Sequence, residues 1–385
     1  MRFVRRTDID DLRELGYFPG KTNYRILRVQ TQPEMSRLPP FAHFIQVRPI
    51  PALLSNPSSR TAVLTTMPLC PSILKVLAYF DLFSYPLSLE EIQFFLDRET
   101  HGSCLAEELD SLLAQKRLFR VGAEVPEGGS TLATVKSFYS LRNDPQLALR
   151  RIKGNQHADQ LLLIADKISR FLYQFPYVRG IGISGSLSKR YADEDADIDY
   201  FIITKRNRLW IARTLMHLYK KWSFIRGRQH WYCMNYFIDE EALEIEEKNI
   251  FTATELITLL PACGNGGLVR FFDANDWVTS FLPQYRNRPS QTPPNPPAGF
   301  WKRTLERVLN NRAGDRLDDF FCRLTSSRWN KKEQKGALDG KGQRMSLRTG
   351  KHFSRPNPEM LQKRILNAYA DKLKGLGLQV DPTKI

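Results

Sequence analysis

The chain has 385 residues, of which 42% are hydrophobic and 11% aromatic. This length and composition are sufficient for two or three globular domains and exclude a wholly disordered chain. The formal charge of +16 favours partners that carry phosphate, such as nucleotides, nucleic acids or an anionic membrane surface, without choosing among them.

Cysteine usage and hydropathy indicate where the protein works. The five cysteines are scattered and form no CxxC pair, so the sequence predicts neither a disulfide framework nor a zinc site. No apolar run approaches the roughly 18 residues of a membrane span, and the basic N-terminus is followed by acidic residues instead of an apolar segment. We therefore predict a cytoplasmic protein with reduced thiols and no membrane partner.

Residues 1–66 show no sustained period of 2 or 3.6 and contain Pro-rich breaks such as Pro39-Pro40. The pattern predicts a poorly ordered extension. Met67 is a candidate start of the chain, because helical patterning begins only after it.

The next segment, 67–150, is predicted to form a winged-helix-like domain of three helices and a hairpin. Ser88 followed by Glu91 is typical of a capping box, which marks the start of the second helix. The predicted elements are helices Ser72–Phe80, Ser88–Leu96 and Cys104–Gln115, then strands around Leu118–Val121 and Ser137–Leu141.

A winged helix can read DNA with its third helix. Here that helix carries Glu107, Glu108 and Asp110 near its N-terminal end, where phosphate contacts need the opposite charge. The sequence therefore favours an interaction or lid module, with DNA binding as the alternative.

Residues 155–285 alternate short helices and strands, which predicts a small mixed-sheet domain of the α/β (α+β) class. Thr252 with Glu255 indicates a second capping box at the start of its last helix. The predicted elements are helix Ala158–Phe175, strands Val178–Ser184 and Ile198–Thr204, helix Arg208–Trp222 and strand Trp231–Ile238.

A Pro-rich linker at 286–300 separates this domain from a basic helical region, 301–385. Residues 301–374 hold 19 Lys and Arg against 8 Asp and Glu, which is most of the excess positive charge. The region is interpreted as a helical domain with a solvated basic surface, and the alternative is a nucleic-acid footprint. Its predicted helices are Trp301–Leu309, Leu317–Trp329 and Met360–Leu373.

The chemistry is concentrated where an apolar strand ends in Gly185-Ser186 and a second apolar strand begins about ten residues later with Asp197-Ile198-Asp199. Strand alternation places the two aspartates on one face, about 7 Å apart along the strand. A lone Asp-x-Asp is more often a solvated acidic loop. The coincidence of strand, Gly-Ser turn, spacing and second strand favours a functional site.

Each part of this pattern has a physical role in phosphoryl transfer. Asp197 and Asp199 can hold one or two Mg²⁺ ions that bridge the phosphates of a nucleotide. Gly185 allows close approach of the backbone to a triphosphate, and Ser186 can bind its terminal phosphates. Lys189 and Arg190 are candidate phosphate-binding cations.

These residues resemble the signature of the polymerase-beta-like nucleotidyltransferase superfamily: a hydrophobic strand, Gly-Ser, about ten residues, then Asp-x-Asp within a second apolar strand. The match covers about 130 residues, from Ala158 to about Tyr285. The stretches Asn235–Asp239 and Phe251–Glu255 further resemble a bacterial subgroup of uncharacterised nucleotidyltransferase-like proteins, whose members carry an N-terminal segment like Tyr79–Ser88. The resemblance implies the fold, Mg²⁺ and a nucleoside triphosphate, but no acceptor.

One position departs from the superfamily pattern. A third carboxylate usually comes from the next strand, and the matching residue here is Asn235. An Asn oxygen can ligate Mg²⁺ but is a poor general base, and it leaves the site one negative charge short. Asp239, four residues on, is the alternative third member.

The leading hypothesis is an enzyme that transfers a nucleoside monophosphate from an NTP to an unidentified acceptor and releases pyrophosphate. The rival is a catalytically weak nucleotide- or RNA-binding protein of the same fold. A DNA-binding regulator that uses the winged helix is the third possibility.

Overall fold

A six-stranded sheet organises the residues that the computed structural model describes, which are 68–126, 133–224, 231–287, 295–336, 347–356 and 358–385. Its strands lie in the order β6-β3-β4-β5-β8-β7. They are β3 Val178–Ser184, β4 Asp199–Thr204, β5 Cys233–Asp239, β6 Leu260–Cys263, β7 Leu347–Thr349 and β8 Phe353–Pro356. All of the described residues belong to one compact unit.

The sheet is mixed, as the sequence predicts. Strand β3 is antiparallel to both β4 and β6, whereas β4 and β5 are parallel. Strand β8 continues the sheet antiparallel to β5, and β7 closes the edge beside β8. The fold class is therefore confirmed as mixed α and β.

Each face of the sheet is buried in a separate core. Ile181 and Ile202 belong to a core with helices α4 (Pro145–Leu172) and α5 (Leu209–Phe224). Phe201 and Ile203 belong to the opposite core, which holds helices α6 (Ile250–Ile257), α7 (Asn265–Ala274) and α10 (Pro358–Gly375) and the N-terminal segment. Burial on both faces explains why the central strands are continuous apolar runs.

The N-terminal segment contains the three helices and the hairpin that the sequence predicts. Ser88 Oγ accepts a hydrogen bond from Glu91 N, and Glu91 accepts one from Ser88 N, so the predicted capping box is confirmed. The elements are helices α1 Leu69–Asp81, α2 Leu89–Phe95 and α3 Gly102–Ala114 and strands β1 Phe119–Pro126 and β2 Ala133–Ser140.

Helix α4 starts earlier than predicted. Asp144 caps its first turn and Pro145 occupies its first position, a start signal that the weak apolar period of the first turns conceals. The extra length places Arg151 against the N-terminal segment. Its guanidinium donates to Pro86 O and to Glu91 Oε1 and lies 3.8 Å from the Tyr85 ring. The N-terminal segment is thus fastened to the same helix that covers the sheet.

The predicted capping box at Thr252 and Glu255 is wrong. Helix α6 spans Ile250–Ile257 and is capped by Asn249, whose side chain accepts from Thr252 N at 3.0 Å. The helix begins three residues earlier than a Thr252 cap would require, because the Asn249 side chain accepts a hydrogen bond from a free N–H group of the first turn. Glu255 instead forms an ion pair with Lys189.

The C-terminal region contains two strands as well as the predicted helices. Helices α8 Phe300–Val308, α9 Arg312–Gln334 and α10 Pro358–Gly375 correspond to the predicted ones, and α7 Asn265–Ala274 precedes them. Strands β7 and β8 lie between α9 and α10 and extend the central sheet, which the sequence does not indicate. Within the described residues, no helix is both long and apolar enough to cross a membrane.

Two predicted segments lie outside the described residues. These are the extension 1–66 and residues 288–294 of the Pro-rich linker.

Candidate functional site

The Gly-Ser turn lies where strand β3 ends at Ser184. Gly185 has φ +73°, a left-handed backbone conformation that favours glycine. A Cβ at this position would lie 2.7 Å from Asp199 Oδ2. Two independent features therefore favour glycine at position 185: the positive φ, and the Asp199 carboxylate that fills the space where a side chain would lie.

The two aspartates stand at the start of strand β4, next to this turn. Asp199 pairs with Ser184 across the β3–β4 ladder. Ile198 and Tyr200 are buried in the α4–α5 core, as strand alternation predicts. Asp199, the first residue of β4, and Asp197, two residues before it, are both half-buried. Gly185, Asp197 and Asp199 therefore lie near the same end of the sheet.

The electrostatics of Asp199 favour a bound cation. Desolvation, followed by the charges of Asp197 and Glu255, raises the pKa of Asp199 to about 6. The Cys233 thiol donates a hydrogen bond to the carboxylate and opposes the rise. Two neighbouring carboxylates that are costly to ionise together are stabilised when a divalent cation lies between them.

The residue that pairs with Asp199 on strand β5 is neither of the two candidates for a third site member. In the parallel β4–β5 ladder, the residue paired with Asp199 is Cys233. Asn235 lies at a register shift between Met234 and Tyr236, and its side chain is outside the described part of the structure. The role of Asn235 stays a prediction.

Asp239 is excluded from this site by the register. It pairs with Thr204 at the other end of β4, five residues and roughly 16 Å from Asp199. It is fully buried and accepts hydrogen bonds from the backbone N–H groups of Asn207 and Glu241, with His352 Nδ1 at 2.9 Å. Its contacts are those of a structural carboxylate.

The two predicted phosphate cations are engaged with protein carboxylates. Lys189 Nζ lies 2.9 Å from Glu255 Oε1 and donates to Gly185 O at 3.1 Å, and its side chain is almost buried. Arg190 pairs with Asp159 at 2.7 Å. Lys189 thus holds the Gly-Ser loop in place, and the charge of each cation is already paired with a carboxylate of the protein.

Two residues that the sequence does not single out support the loop. Ser188 Oγ donates to Gly185 O at 2.8 Å, which fixes the turn from within. Tyr85 Oη donates to Lys189 O at 2.6 Å and so ties the N-terminal segment to the loop. Tyr85 lies in the Tyr79–Ser88 stretch, which resembles a segment of the bacterial nucleotidyltransferase-like proteins. Its role in holding the loop follows only from the tertiary contact with Lys189.

The side chains at this end of the sheet are of the chemical type that binds Mg²⁺. Asp197 and Asp199 supply the carboxylate oxygens that Mg²⁺ prefers, and Gly185 keeps clear the space where a side chain would meet Asp199. Across the described ranges, no three His, Cys, Asp or Glu side chains converge as a complete metal-binding group. The remaining ligands would then come from water and substrate phosphates, as is usual for Mg²⁺.

Comparison with known proteins finds no family model that matches the chain, no similar curated protein and no similar solved structure. The functional interpretation therefore depends on the geometry of the site itself.

Proposed function

We propose that this chain is a cytoplasmic, Mg²⁺-dependent nucleotidyltransferase that transfers a nucleoside monophosphate from an NTP to an acceptor. The observation that carries this proposal is that Gly185, at φ +73°, leaves the space of its missing side chain to the Asp199 carboxylate, whose Oδ2 would lie 2.7 Å from an added Cβ. A close-approach turn and a pair of carboxylates at the end of two adjacent strands are the two parts that a metal-bound triphosphate requires.

Each residue has a defined task in this proposal. Asp197 and Asp199 would hold Mg²⁺, which offsets the negative charge that develops on the phosphates. Gly185 and Ser186 would contact the triphosphate through the backbone and the hydroxyl. Lys189 and Ser188 keep this loop in position through their contacts with Gly185 O.

The reaction forms one bond and breaks one bond. An acceptor oxygen attacks the α-phosphorus of the NTP, the bond from that phosphorus to the bridging oxygen breaks, and pyrophosphate leaves. The proton of the acceptor passes to solvent, so no oxidant or further co-reactant is needed. The exposed basic residues of α9, among them Arg328, Lys331 and Lys332, make a nucleic acid one candidate acceptor.

A second candidate is a nucleotide-binding protein of the same fold with little turnover. The specific observation in its favour is that the residue paired with Asp199 in the β4–β5 ladder is Cys233, a thiol and not a third carboxylate. The ion pairs of Lys189 and Arg190 also favour this second candidate, because protein carboxylates already neutralise both predicted phosphate-binding cations.

The test is calorimetry with Mg²⁺ and ATP, CTP, GTP or UTP. The double variant Asp197→Asn with Asp199→Asn should weaken NTP affinity at least tenfold, because both carboxylate ligands are lost. The matched control is Glu194→Gln with Asp195→Asn, which removes the same charge from two exposed neighbours and should change affinity less than twofold. Equal losses in both variants, or no binding by the wild type, would overturn the assignment.

Turnover separates the two candidates. The pure protein is incubated with Mg²⁺, labelled NTPs and a cell extract, and a labelled product supports the enzyme. NTP binding without labelled product supports the binding protein. In an active enzyme, Asn235→Ala should reduce turnover strongly and Asn235→Asp should be tolerated, whereas a binder should keep its NTP affinity with Asn235→Ala.

A further inference from the structure

Three polar side chains surround Phe237 on the side of the sheet that helix α5 covers. Arg213 and His217 are one turn apart on α5 and so project from the same face of that helix. The Arg213 guanidinium carbon lies 6.0 Å from the centre of the Phe237 ring, and the ring centres of His217 and Phe237 are 5.9 Å apart. The third side chain is Ser354 of β8, which pairs with Phe237 in the β5–β8 ladder and therefore points to the same side of the sheet.

Each of these side chains has a buried polar atom without a hydrogen-bond partner. Arg213 is 9% exposed and Ser354 is fully buried. Within the described residues, Arg213 Nε, His217 Nε2 and Ser354 Oγ make no hydrogen bond. A buried polar atom without a partner is unfavourable, so three such atoms in one place indicate a polar ligand.

The positive charge of this cluster is uncompensated. Burial lowers the pKa of Arg213 to about 10, and no carboxylate in the described part of the chain opposes that effect. Burial also lowers the pKa of His217, as do the charges of Arg213 and two neighbouring lysines. The adjacent helix α9 carries Asp318, but its carboxylate accepts from Ile211 N, and the cation that lowers its pKa is Arg208.

The chemistry of the three groups favours an anion with several oxygen atoms. A guanidinium and a hydroxyl donate hydrogen bonds, and an imidazole donates from each protonated ring nitrogen. Arginine binds phosphate through charge-assisted, often paired hydrogen bonds. A tetrahedral phosphate can present oxygens to α5 and to β8 at once, whereas a carboxylate offers two oxygens in one plane. Arg213 keeps 9% exposure and His217 is half-buried, so an ion can reach the cluster from the surface beside α5.

We propose that Arg213, His217 and Ser354 form an anion site that binds a phosphate group. The site is separate from the Gly-Ser turn, because Phe237 pairs with β4 three residues along the strand from Asp199. The proposal therefore stands whether or not the chain transfers nucleotides.

Binding is measured on the full-length protein by NMR, from the ring signals of His217, at constant ionic strength and without divalent metal. Inorganic phosphate should shift these signals to saturation and should bind at least fivefold more tightly than acetate, with sodium chloride as the background salt. The same shift is expected in Asp197→Asn with Asp199→Asn, which separates this site from the proposed nucleotide site. No saturable shift with phosphate, or equal affinity for acetate, would overturn the proposal.

AMP distinguishes two sources of the phosphate group. If AMP shifts the His217 ring signals at least as tightly as inorganic phosphate does, the site holds the phosphate of a larger molecule. If only inorganic phosphate binds, the site holds the free ion. Both results support a phosphate site, and binding of neither contradicts it.

A matched pair of variants assigns the affinity to Arg213. Arg213→Met keeps the apolar part of the side chain and removes its charge, so it should weaken phosphate binding at least tenfold. Lys153→Met removes the same charge from an exposed position on α4 and should change the affinity less than twofold. Ser354→Ala, on β8, should weaken binding at least threefold. Equal affinities of Arg213→Met and Lys153→Met would show that Arg213 does not hold the ion.

Thermal unfolding separates a ligand site from a purely structural arginine. Without phosphate, Arg213→Met should have the Tm of the wild type or a higher one, because a buried charge without a counter-charge is unfavourable. Phosphate also stabilises proteins by exclusion from their surface, so the measurement is a difference between variants. Phosphate should raise the Tm of the wild type and of Lys153→Met more than that of Arg213→Met.

A lower Tm of Arg213→Met in both buffers, with an unchanged rise on adding phosphate, would assign Arg213 a structural role and overturn the proposal. If Arg213→Met does not fold, the loss of affinity in Ser354→Ala and the wild-type preference for phosphate over acetate still decide it.

Discussion

The two ends of strands β4 and β5 carry aspartates in contrasting surroundings. At one end, Asp239 accepts two backbone hydrogen bonds and contacts His352. At the other end, Asp199 lies beside a second carboxylate, with the Cys233 thiol as a weak donor, and its pKa rises to about 6.

This difference shows how to interpret a carboxylate that is partly or fully removed from water. When protein donors surround it, as at Asp239, the charge is already stabilised and the residue holds the fold. When another carboxylate lies beside it, as at Asp199, ionisation is unfavourable until a cation arrives, and the residue is a candidate for function. Each of the following variants tests one side of the contrast.

The largest effect is expected at Asp239. Asp239→Ala leaves two buried N–H groups and His352 without their acceptor and should lower the free energy of unfolding by about 3 to 4 kcal/mol. Urea denaturation measures the loss. Asp195→Ala, at an exposed position, is the control and should cost less than about 0.5 kcal/mol. A loss below about 1 kcal/mol at Asp239 would contradict its structural role.

Gly185→Ala comes next. The alanine would keep an unfavourable positive φ, and its Cβ would displace the Asp199 carboxylate. We therefore expect a loss of about 2 to 3 kcal/mol in the free energy of unfolding, together with weaker Mg²⁺-NTP binding. Gly377→Ala is a matched control, because Gly377 has φ +69° but no atom within 4 Å of the added Cβ. The control should cost about 1 kcal/mol and leave NTP affinity intact. Equal behaviour of the two variants would show that contact with Asp199 is unimportant.

Asp199→Asn should have a smaller effect of the opposite sign. The folded-state pKa of about 6 lies above the ordinary value of 3.8. Proton binding therefore favours the folded state, and wild-type stability falls as pH rises from about 4 through 6. At pH 7 without metal, the variant should be about 1 to 2 kcal/mol more stable than the wild type, and the gain should vanish below about pH 4. A gain that does not change with pH would contradict the buried-charge explanation.

Asp318→Asn separates this pH effect from the loss of a metal ligand. Burial also raises the pKa of Asp318 to about 6, although Asp318 Oδ1 accepts a hydrogen bond from Ile211 N at 2.9 Å. By the same linkage, the variant should also be more stable than the wild type at pH 7, and this gain should vanish below about pH 4. It should leave metal affinity unchanged, unlike Asp199→Asn.

The central part of the fold could be predicted from the sequence because its signals are local. Strand β3 is an apolar run that ends at a Gly-Ser turn, and its observed bounds, Val178–Ser184, are those predicted. The alternation of Ile198 and Tyr200 likewise places Asp197 and Asp199 on one side of β4. Asp144-Pro145 is a local start signal for α4, but the polar first turns obscured it.

The remaining features depend on contacts between distant residues. Strands β7 and β8 are three and four residues long and contain arginines, so no apolar period marks them, and β8 pairs with a strand more than 100 residues earlier. The ladder position of Cys233 depends on the β4–β5 register, and the ion pair of Lys189 depends on where α6 packs. Neither follows from spacing along the chain.

The place of β8 in the sheet has a consequence for how the protein is made. Strand β5 obtains its second neighbour only from residues 353–356. During synthesis, strands β3 to β6 can form long before that segment leaves the ribosome, and β5 then presents unpaired backbone groups along an apolar strand. Such an edge invites pairing with another chain. A chain shortened near residue 297 would keep this edge permanently, so premature termination should yield aggregates instead of a smaller working domain.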